Sequence, residues 1–490
     1  MKKAVSLILI SALLAACFAA CGETGGSPAS TAASDLPAET VVEETAAETE
    51  GDRPEMTEAD YGGAEFNILY PSWSLYNNFY FAEETNGEAV NDAIFERTQK
   101  IEEALNITVV PQTLGYIDTV YPAVNKTVMA GEDAYQLALT HCATSLVSYV
   151  KQQIVVNWND IPNIDMEKSY WNHSLSDNME VSGILPFNVN SFILPDVNSI
   201  FFNTQLYDNY IGDDLYSQVL DGKWTWDRLI ENAGKASLDI DGDGQFTDQD
   251  QYGFVGELGW QFASILTSTD QYMISVGEEG AYISLYTETT VNLIEKIRSF
   301  LKEGTSAFTW NYDGKYDPNQ GGTPPVSFND GKALYYLVPL SLASNFRSMD
   351  TDFGIVPLPK YSEDQDRYIT LNWSGFMCVP MSVGDIEMVG TVVENLGWRN
   401  DEIVMPAFYD ILLGQKIARN EESISMLDII FDDSVYDLGV GLGIYDVFGS
   451  CVSQKKPVEF ASYYEKNLKT WNKNVTDYSD ACVAYADSVG

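Results

Sequence analysis

The chain has 490 residues, of which 45% are hydrophobic and 12% aromatic, and this supply of apolar side chains is sufficient for a folded globular body. Its 72 acidic residues outnumber its 27 lysines and arginines and give a net charge of −45. Nucleic acid and anionic lipid both require a basic surface, so this charge argues against them as partners and favours a neutral or cationic ligand.

The first 21 residues have the layout of a signal peptide of a bacterial lipoprotein. A pair of lysines precedes a run without any charge from Ala4 to Gly22. Small residues stand before a cysteine twice, in Leu14–Cys17 and in Phe18–Cys21, and both segments resemble the lipobox, whose cysteine is lipidated. We favour Cys21 over Cys17, which predicts attachment to the extracellular face of the bacterial cell membrane. An uncleaved membrane anchor is the alternative, because about 18 apolar residues can span a bilayer.

Residues 22–60 predict a disordered acidic tether. Residues 35–60 contain ten acids, one arginine and no lysine, and such a segment buries too little apolar surface to offset the entropy lost on ordering. The roughly 430 residues that follow are too many for one hydrophobic core, so they predict two lobes.

The body opens with a pattern that is typical of an α/β lobe. Alternating apolar residues predict strands over Phe66–Tyr70 and Ile107–Val110, and an apolar stripe from Val90 to Leu105 predicts a helix between them. This βαβ unit implies a parallel strand pair. Further along, Thr225 predicts the N-cap of another helix, which begins at Trp226.

Residues 239–250 have the pattern of an EF-hand-like calcium loop, with acids at its first, third, fifth and last positions and glycine at the sixth. The last position is Asp where EF-hands use Glu, which resembles the dockerin-type loop. We predict a structural calcium ion, and the alternative is an acidic surface turn without metal. The predicted ligands are Asp239, Asp241, Asp243, the carbonyl of Gln245, and Asp250.

Five segments, taken in their order and spacing, resemble the clostridial branch of the family 1 extracellular solute-binding proteins, which are capture subunits of carbohydrate ABC importers. The resemblance implies an α/β, two-lobed periplasmic-binding-protein-like fold with a hinge, an interlobe ligand cleft and a partner ABC permease. The segments are Glu84–Ala93, Ile200–Asn203, Lys223–Asp227, Phe328–Leu334 and Phe353–Lys360.

By the same resemblance, three chain segments are expected to cross between the lobes. They lie near Pro186–Asn198, Leu371–Val379 and Asp432–Gly443. This places lobe 1 in residues 61–190 and 376–435, and lobe 2 in residues 191–375 and 436–490.

A sugar presents an apolar C–H face and a rim of hydroxyls, so aromatic rings and polar side chains are expected in such a cleft. Our candidate contacts are Trp373 at a predicted crossing, then Trp260, then Trp73 after the first strand, with Asp196 as the polar partner. Packing in the core is the alternative for any single tryptophan. Trp158, Trp171 and Trp310 are weaker candidates, and we expect Trp224 and Trp226 to pack at the start of their helix.

Four cysteines follow the lipobox, and their spacing matches no zinc site. An exported chain permits disulfides, and Cys451–Cys482 is the most plausible pair. Cys378 lies in an apolar run and is expected to be a buried thiol. For Cys142 the sequence makes no further prediction.

The chain is not expected to be an enzyme, and we assign no catalytic residue and no redox or nucleotide cofactor. Only two histidines exist, His141 and His173, which disfavours a Ser-His-Asp triad or a histidine-rich metal centre. We therefore predict a monomeric protein that captures a mono- or oligosaccharide and delivers it to a permease. A binding protein for peptides or another non-sugar solute and an extracellular carbohydrate-active enzyme are the alternatives.

Overall fold

The first regular elements follow the predicted strand–helix–strand pattern. In the computed structural model of the protein, strand β1 (Ala64–Tyr70) and strand β2 (Ile107–Thr113) pair in parallel, and helix α1 (Ala89–Leu105) connects them. The apolar stripe of α1 is buried because its spacing places these side chains on one helix face. Helix α1 ends at Asn106, whose left-handed backbone (φ 47°) turns the chain back to the sheet.

The structure describes residues 53–72, 79–144, 146–247, 249–302, 306–311, 328–346, 349–413, 421–454 and 456–489. The predicted signal peptide, Cys17, Cys21 and most of the tether lie outside these residues. The chain divides into residues 1–49 and one compact unit, residues 50–490. The tether was predicted to reach residue 60, but Arg53 lies over the ring of Trp398, and Asn395 donates to the carbonyl of Met56. The folded body therefore begins before residue 60.

The remaining strands and helices are numbered along the chain. The strands are β3 (Leu137–His141), β4 (Asn198–Asn203), β5 (Tyr252–Leu258), β6 (Ile274–Gly277), β7 (Gly280–Ile283), β8 (Ala307–Asn311), β9 (Ala333–Pro339), β10 (Phe353–Val356), β11 (Thr370–Leu371), β12 (Gly375–Cys378) and β13 (Ser434–Val435). The helices are α2 (Val120–Ala130), α3 (Leu146–Lys151), α4 (His173–Met179), α5 (Thr204–Tyr210), α6 (Leu215–Leu220), α7 (Trp226–Ala236), α8 (Trp260–Thr267), α9 (Glu288–Phe300), α10 (Ile386–Arg399), α11 (Met405–Leu413), α12 (Glu421–Asp432), α13 (Leu438–Gly441), α14 (Asp446–Val452) and α15 (Phe460–Val489).

Two sheets organise the body. The first has the strand order β12-β3-β1-β2, in which β12 is antiparallel to β3 and the other pairs are parallel. The second has the order β10-β4-β9-β5-β8, with parallel pairs on both sides of β5 and antiparallel pairs on both sides of β4. Helix α7 packs on β5, and its N-cap is Thr225 as predicted, since the Thr225 hydroxyl accepts from the Arg228 amide.

Short pairings join the segments that pass between the two sheets. Strands β11 and β13 pair in parallel through Thr370 and Ser434. Isolated bridges also join Asn188 to Met377 and Val197 to Asn372. Because β12 belongs to the first sheet and β4 to the second, these segments carry the chain from one sheet to the other. The boundaries of lobe 1 and lobe 2 given above stay a prediction.

The C-terminal helix α15 has 30 residues and is therefore about 45 Å long. Near its start, Arg298 on α9 donates to the carbonyls of Cys451 and Val458. Near its end, the Tyr485 hydroxyl donates to the carbonyl of Val155, and the Tyr478 hydroxyl donates to the carbonyl of Met179. The helix is thus fixed to distant parts of the body at its two ends. Among the described residues, no helix is both long enough and apolar enough to cross a membrane.

Candidate ligand site

The candidate site lies where strands of both sheets end. His141 is the last residue of β3 in the first sheet, and Trp260 follows β5 of the second sheet after a single glycine. Trp373 lies between β11 and β12, on a segment that joins the two sheets. Ligands of α/β proteins collect at the carboxyl ends of strands and between lobes, and these residues occupy both kinds of position.

Three aromatic side chains form the centre of the site, and we call Trp260, Trp373 and Tyr445 the aromatic cluster. The rings of Trp260 and Trp373 are stacked, with centroids 5.0 Å apart and an interplanar angle of 23°. Tyr445 meets Trp373 edge-on at 5.1 Å. Trp373 is only 7% exposed, whereas Trp260 is half-buried and keeps part of its ring accessible. The structure therefore brings together the first two of the three tryptophans chosen from the sequence.

Asp196 belongs to the same site. The Trp373 amide donates to the Asp196 carbonyl at 2.8 Å, which fixes the two residues side by side on paired segments. The Asp196 side chain is buried, and its Oδ1 accepts one hydrogen bond, from the Ser341 hydroxyl at 3.2 Å. Burial raises the pKa of this carboxyl to about 6, and the Ser341 hydrogen bond opposes that rise.

His141 stands at the edge of the cluster, with its ring 6.3 Å from that of Trp373. Burial lowers the pKa of His141 to about 3, so the imidazole is neutral. Its Nδ1 accepts from the Ala143 amide at 3.1 Å, which leaves the proton on Nε2. Close by, the hydroxyls of Ser374 and Tyr436 are hydrogen-bonded at 2.6 Å. The site therefore combines apolar ring faces with neutral and acidic hydrogen-bonding groups.

A cavity of about 290 Å³ borders the aromatic cluster, because its lining includes the residue before Trp260 and the residue after Tyr445. Sequence reasoning missed this cavity, since its serines and glycines form no recognisable pattern. Gly449 packs closely there, and a Cβ on it would lie 3.7 Å from the Gly259 carbonyl oxygen. The lining residues are Gly259, Asp446, Gly449, Ser450, Ser453, Lys456 and Val458.

The other candidate tryptophans do not join the site. Trp73 and the side chain of Trp310 lie outside the described residues. Trp158 and Trp171 pack edge-on in the core, where Trp171 Nε1 donates to Glu394. The two tryptophans at the start of α7, Trp224 and Trp226, are fully buried, as the sequence predicts.

The predicted calcium loop lies on the surface and precedes strand β5. One carboxylate oxygen each from Asp239, Asp241 and Asp243 lies within 4.8 Å of the others, which suits the hard-oxygen chemistry of Ca²⁺. Asp250 closes the loop, because its two oxygens accept from the amides of Ile240 and Thr247. The side chain of Gln245 is exposed, and the role of its carbonyl as a ligand stays a prediction.

The predicted disulfide is wrong, because Cys142, Cys378, Cys451 and Cys482 are all free, buried thiols. Cys451 lies near the start of α15, where its carbonyl accepts from Arg298. Cys482 is 22 residues beyond Phe460 in that helix, which places it about 33 Å from the helix start. A rigid helix therefore keeps the two sulfurs apart. The expectation of a buried Cys378 is confirmed.

Comparison with solved structures identifies the fold of this chain. No family model and no curated protein matches the chain. Among solved structures, UspC of Mycobacterium tuberculosis is 14% identical with a TM-score of 0.54, over 85% of this chain and 100% of that one. The fold is that of the two-lobed solute-binding proteins.

Two further structures agree with this fold. The GacH receptor of Streptomyces glaucescens, solved unliganded and in complex with acarbose, is 12% identical with a TM-score of 0.53, over 85% of this chain and 99% of that one. UgpB of Mycobacterium tuberculosis, in complex with glycerophosphocholine, is 13% identical with a TM-score of 0.52, over 87% and 99%. The predicted α/β, two-lobed fold is confirmed.

Proposed function

We propose that this chain is an extracellular, lipid-anchored solute-binding protein that captures a carbohydrate between its lobes and delivers it to an ABC permease. The observation that carries the proposal is the stacked pair of Trp260 and Trp373. One ring follows a strand of the second sheet, and the other lies on a segment that joins the sheets. A flat apolar ring with an accessible part suits the C–H face of a sugar ring.

Polar groups around the aromatic cluster suit the rim of a sugar. The Asp196 carboxylate accepts from hydroxyls, and the serines of the bordering cavity both donate and accept. A ligand stabilises the closed form of two lobes only if it contacts both of them. His141 at the end of β3 and Trp260 after β5 offer contacts from elements of both sheets, which supports that requirement. The complex of GacH with acarbose adds support from a protein of the same fold.

The N-terminal sequence supports the cellular part of this proposal. A lipidated Cys21, or Cys17, would hold the body outside the membrane through the acidic segment that follows it. The clostridial character of the resemblance belongs to the same proposal. The surface loop 239–250 is proposed to bind a structural calcium ion, for which its three neighbouring carboxylates provide ligands.

A thermal-shift screen of the full chain tests the proposal. Saccharides of different size and linkage are compared with peptides, because a ligand that binds only the native state raises its melting temperature. We expect a shift with one class of saccharide and no breakdown of it. A shift with peptides alone would indicate that the captured solute is a peptide and not a carbohydrate. Breakdown of the sugar would indicate an enzyme.

Substitutions in the aromatic cluster test where the saccharide binds. Trp260→Ala removes the accessible ring, and we expect at least a tenfold loss of saccharide affinity, about 1.4 kcal/mol. Tyr282→Ala serves as the control, because Tyr282 is an exposed aromatic residue on β7 outside the site. Equal affinity of both variants and the unchanged protein would contradict the placement of the sugar at the aromatic cluster.

A further inference from the structure

Asp196 is a buried carboxylate without a positive partner. Its side chain receives one neutral hydrogen bond, from Ser341 to Oδ1, and the described residues supply no partner to Oδ2. None of the ion pairs among the described residues includes Asp196. A buried carboxylate in this situation is costly unless a cation or several donors approach it.

Two buried basic residues, Arg97 and His141, are already engaged or neutral. The terminal nitrogens of buried Arg97 donate to the Tyr80 carbonyl and to Asn400 Oδ1, not to Asp196. His141 is neutral because burial lowers its pKa to about 3. Neither residue therefore balances the Asp196 carboxylate, and no ion pair found among the described residues does so.

The titratable groups that face Asp196 from neighbouring elements do not supply a cation either. They are Tyr80, Cys142 and Tyr436, and burial raises the pKa of each of them. A phenol or thiol is neutral when protonated and negative when ionised, so none of the three can neutralise a carboxylate. Among the described residues, the ionised carboxylate thus has no cationic partner, and a cationic ligand would supply one.

We propose that the captured solute carries a protonated amine that pairs with Asp196, and that it is therefore an amino-substituted sugar. This inference rests on the proposed function, because it names the substrate class of the same site. The amine donates hydrogen bonds to the carboxylate and also neutralises it, whereas a hydroxyl only donates.

Two other features of the site favour a cation. The faces of tryptophan and tyrosine rings attract ammonium groups, and Trp373, next to Asp196, belongs to a cluster of such rings. The net charge of −45 further raises the local concentration of a cationic solute.

The test uses matched sugars and the full chain. The panel consists of hexoses and their 1→4-linked disaccharides. Each sugar is supplied in three forms that differ only in the substituent at one carbon, which is an amino, an N-acetylamino or a hydroxyl group. Affinities are measured by calorimetry at pH 6.5 for the unchanged protein, for Asp196→Asn and for Asp208→Asn. The Asn side chain keeps an acceptor for Ser341, and Asp208→Asn removes the same charge from an exposed position on α5.

We expect the amino form to bind at least tenfold more tightly than its N-acetylated and hydroxyl counterparts. Asp196→Asn should abolish this preference, and Asp208→Asn should keep it. If the N-acetylated or hydroxyl form binds the unchanged protein as tightly as the amino form does, the pairing of an amine with Asp196 is refuted. Carbohydrate capture itself would then still stand. If no sugar in any form binds, the proposed function itself fails, and the inference fails with it.

Discussion

The buried carboxyl of Asp196 predicts that the stability of the protein depends on pH. Its pKa rises from the ordinary value of 3.8 to about 6 in the native state, so the native state holds this proton more tightly than the unfolded state. The associated stability is therefore fully present below about pH 4 and is lost as the pH rises through about 6. The rise corresponds to about 3 kcal/mol of unfolding free energy.

The substitution Asp196→Asn isolates this contribution, because the Asn side chain is neutral at every pH and keeps the acceptor for Ser341. Urea unfolding of the two proteins at pH 4, 5, 6 and 7 gives the difference in free energy. We expect equal stability at pH 4 and a gain of up to about 3 kcal/mol for the variant at pH 7. Asp208→Asn controls for the loss of a negative charge and should not reproduce this difference. Parallel pH curves for the unchanged protein and Asp196→Asn would refute the reasoning.

Three further predictions concern other parts of the molecule. Millimolar Ca²⁺ should raise the melting temperature of the metal-stripped protein but not of Asp241→Asn, and calorimetry without any calcium uptake would contradict the loop assignment. In urea unfolding, Gly390→Ala should destabilise the protein by about 3 kcal/mol or more, because its Cβ would clash with the Pro162 carbonyl oxygen. Gly234→Ala, in open space on α7, serves as the control and should stabilise the protein by about 0.5–1 kcal/mol. A reducing agent should leave the melting temperature unchanged, because all four cysteines of the body are free thiols. Thiol titration of the denatured body should find Cys142, Cys378, Cys451 and Cys482 all reactive. A lower melting temperature after reduction would point to a disulfide.

The parts of the fold that the sequence predicted are those governed by short-range patterns. The apolar stripe of α1 and the flanking strands follow from the spacing of residues within one βαβ unit. The N-cap at Thr225 follows from a hydroxyl placed before an amphipathic helix. The order of the second sheet was not predictable in this way, because β4 lies between β10 and β9, which follow it by more than a hundred residues.

The candidate site was predicted only in part, for the same reason. Trp260, Trp373 and Asp196 were chosen one by one from their local sequence, but no local pattern shows that the two rings stack. The cavity beside them depends on Gly449 lying close to Gly259, and this approach joins residues of distant sequence. The disulfide prediction failed because a count of cysteines contains no information about the rigid helix between them.

Anchoring of α15 at its far end has a consequence for the order of folding. The hydroxyl of Tyr485 bonds to Val155, and the edge strand β12 of the first sheet is supplied by residues 375–378. The first sheet therefore begins near residue 64 but gains its edge strand β12 only from the last quarter of the chain. Such contacts of large sequence separation slow folding, since a long loop must close before they form. Native structure around β1 should therefore mature only after β12 has been synthesised, and removal of the last turns of α15 should release the segment around Val155 that Tyr485 holds.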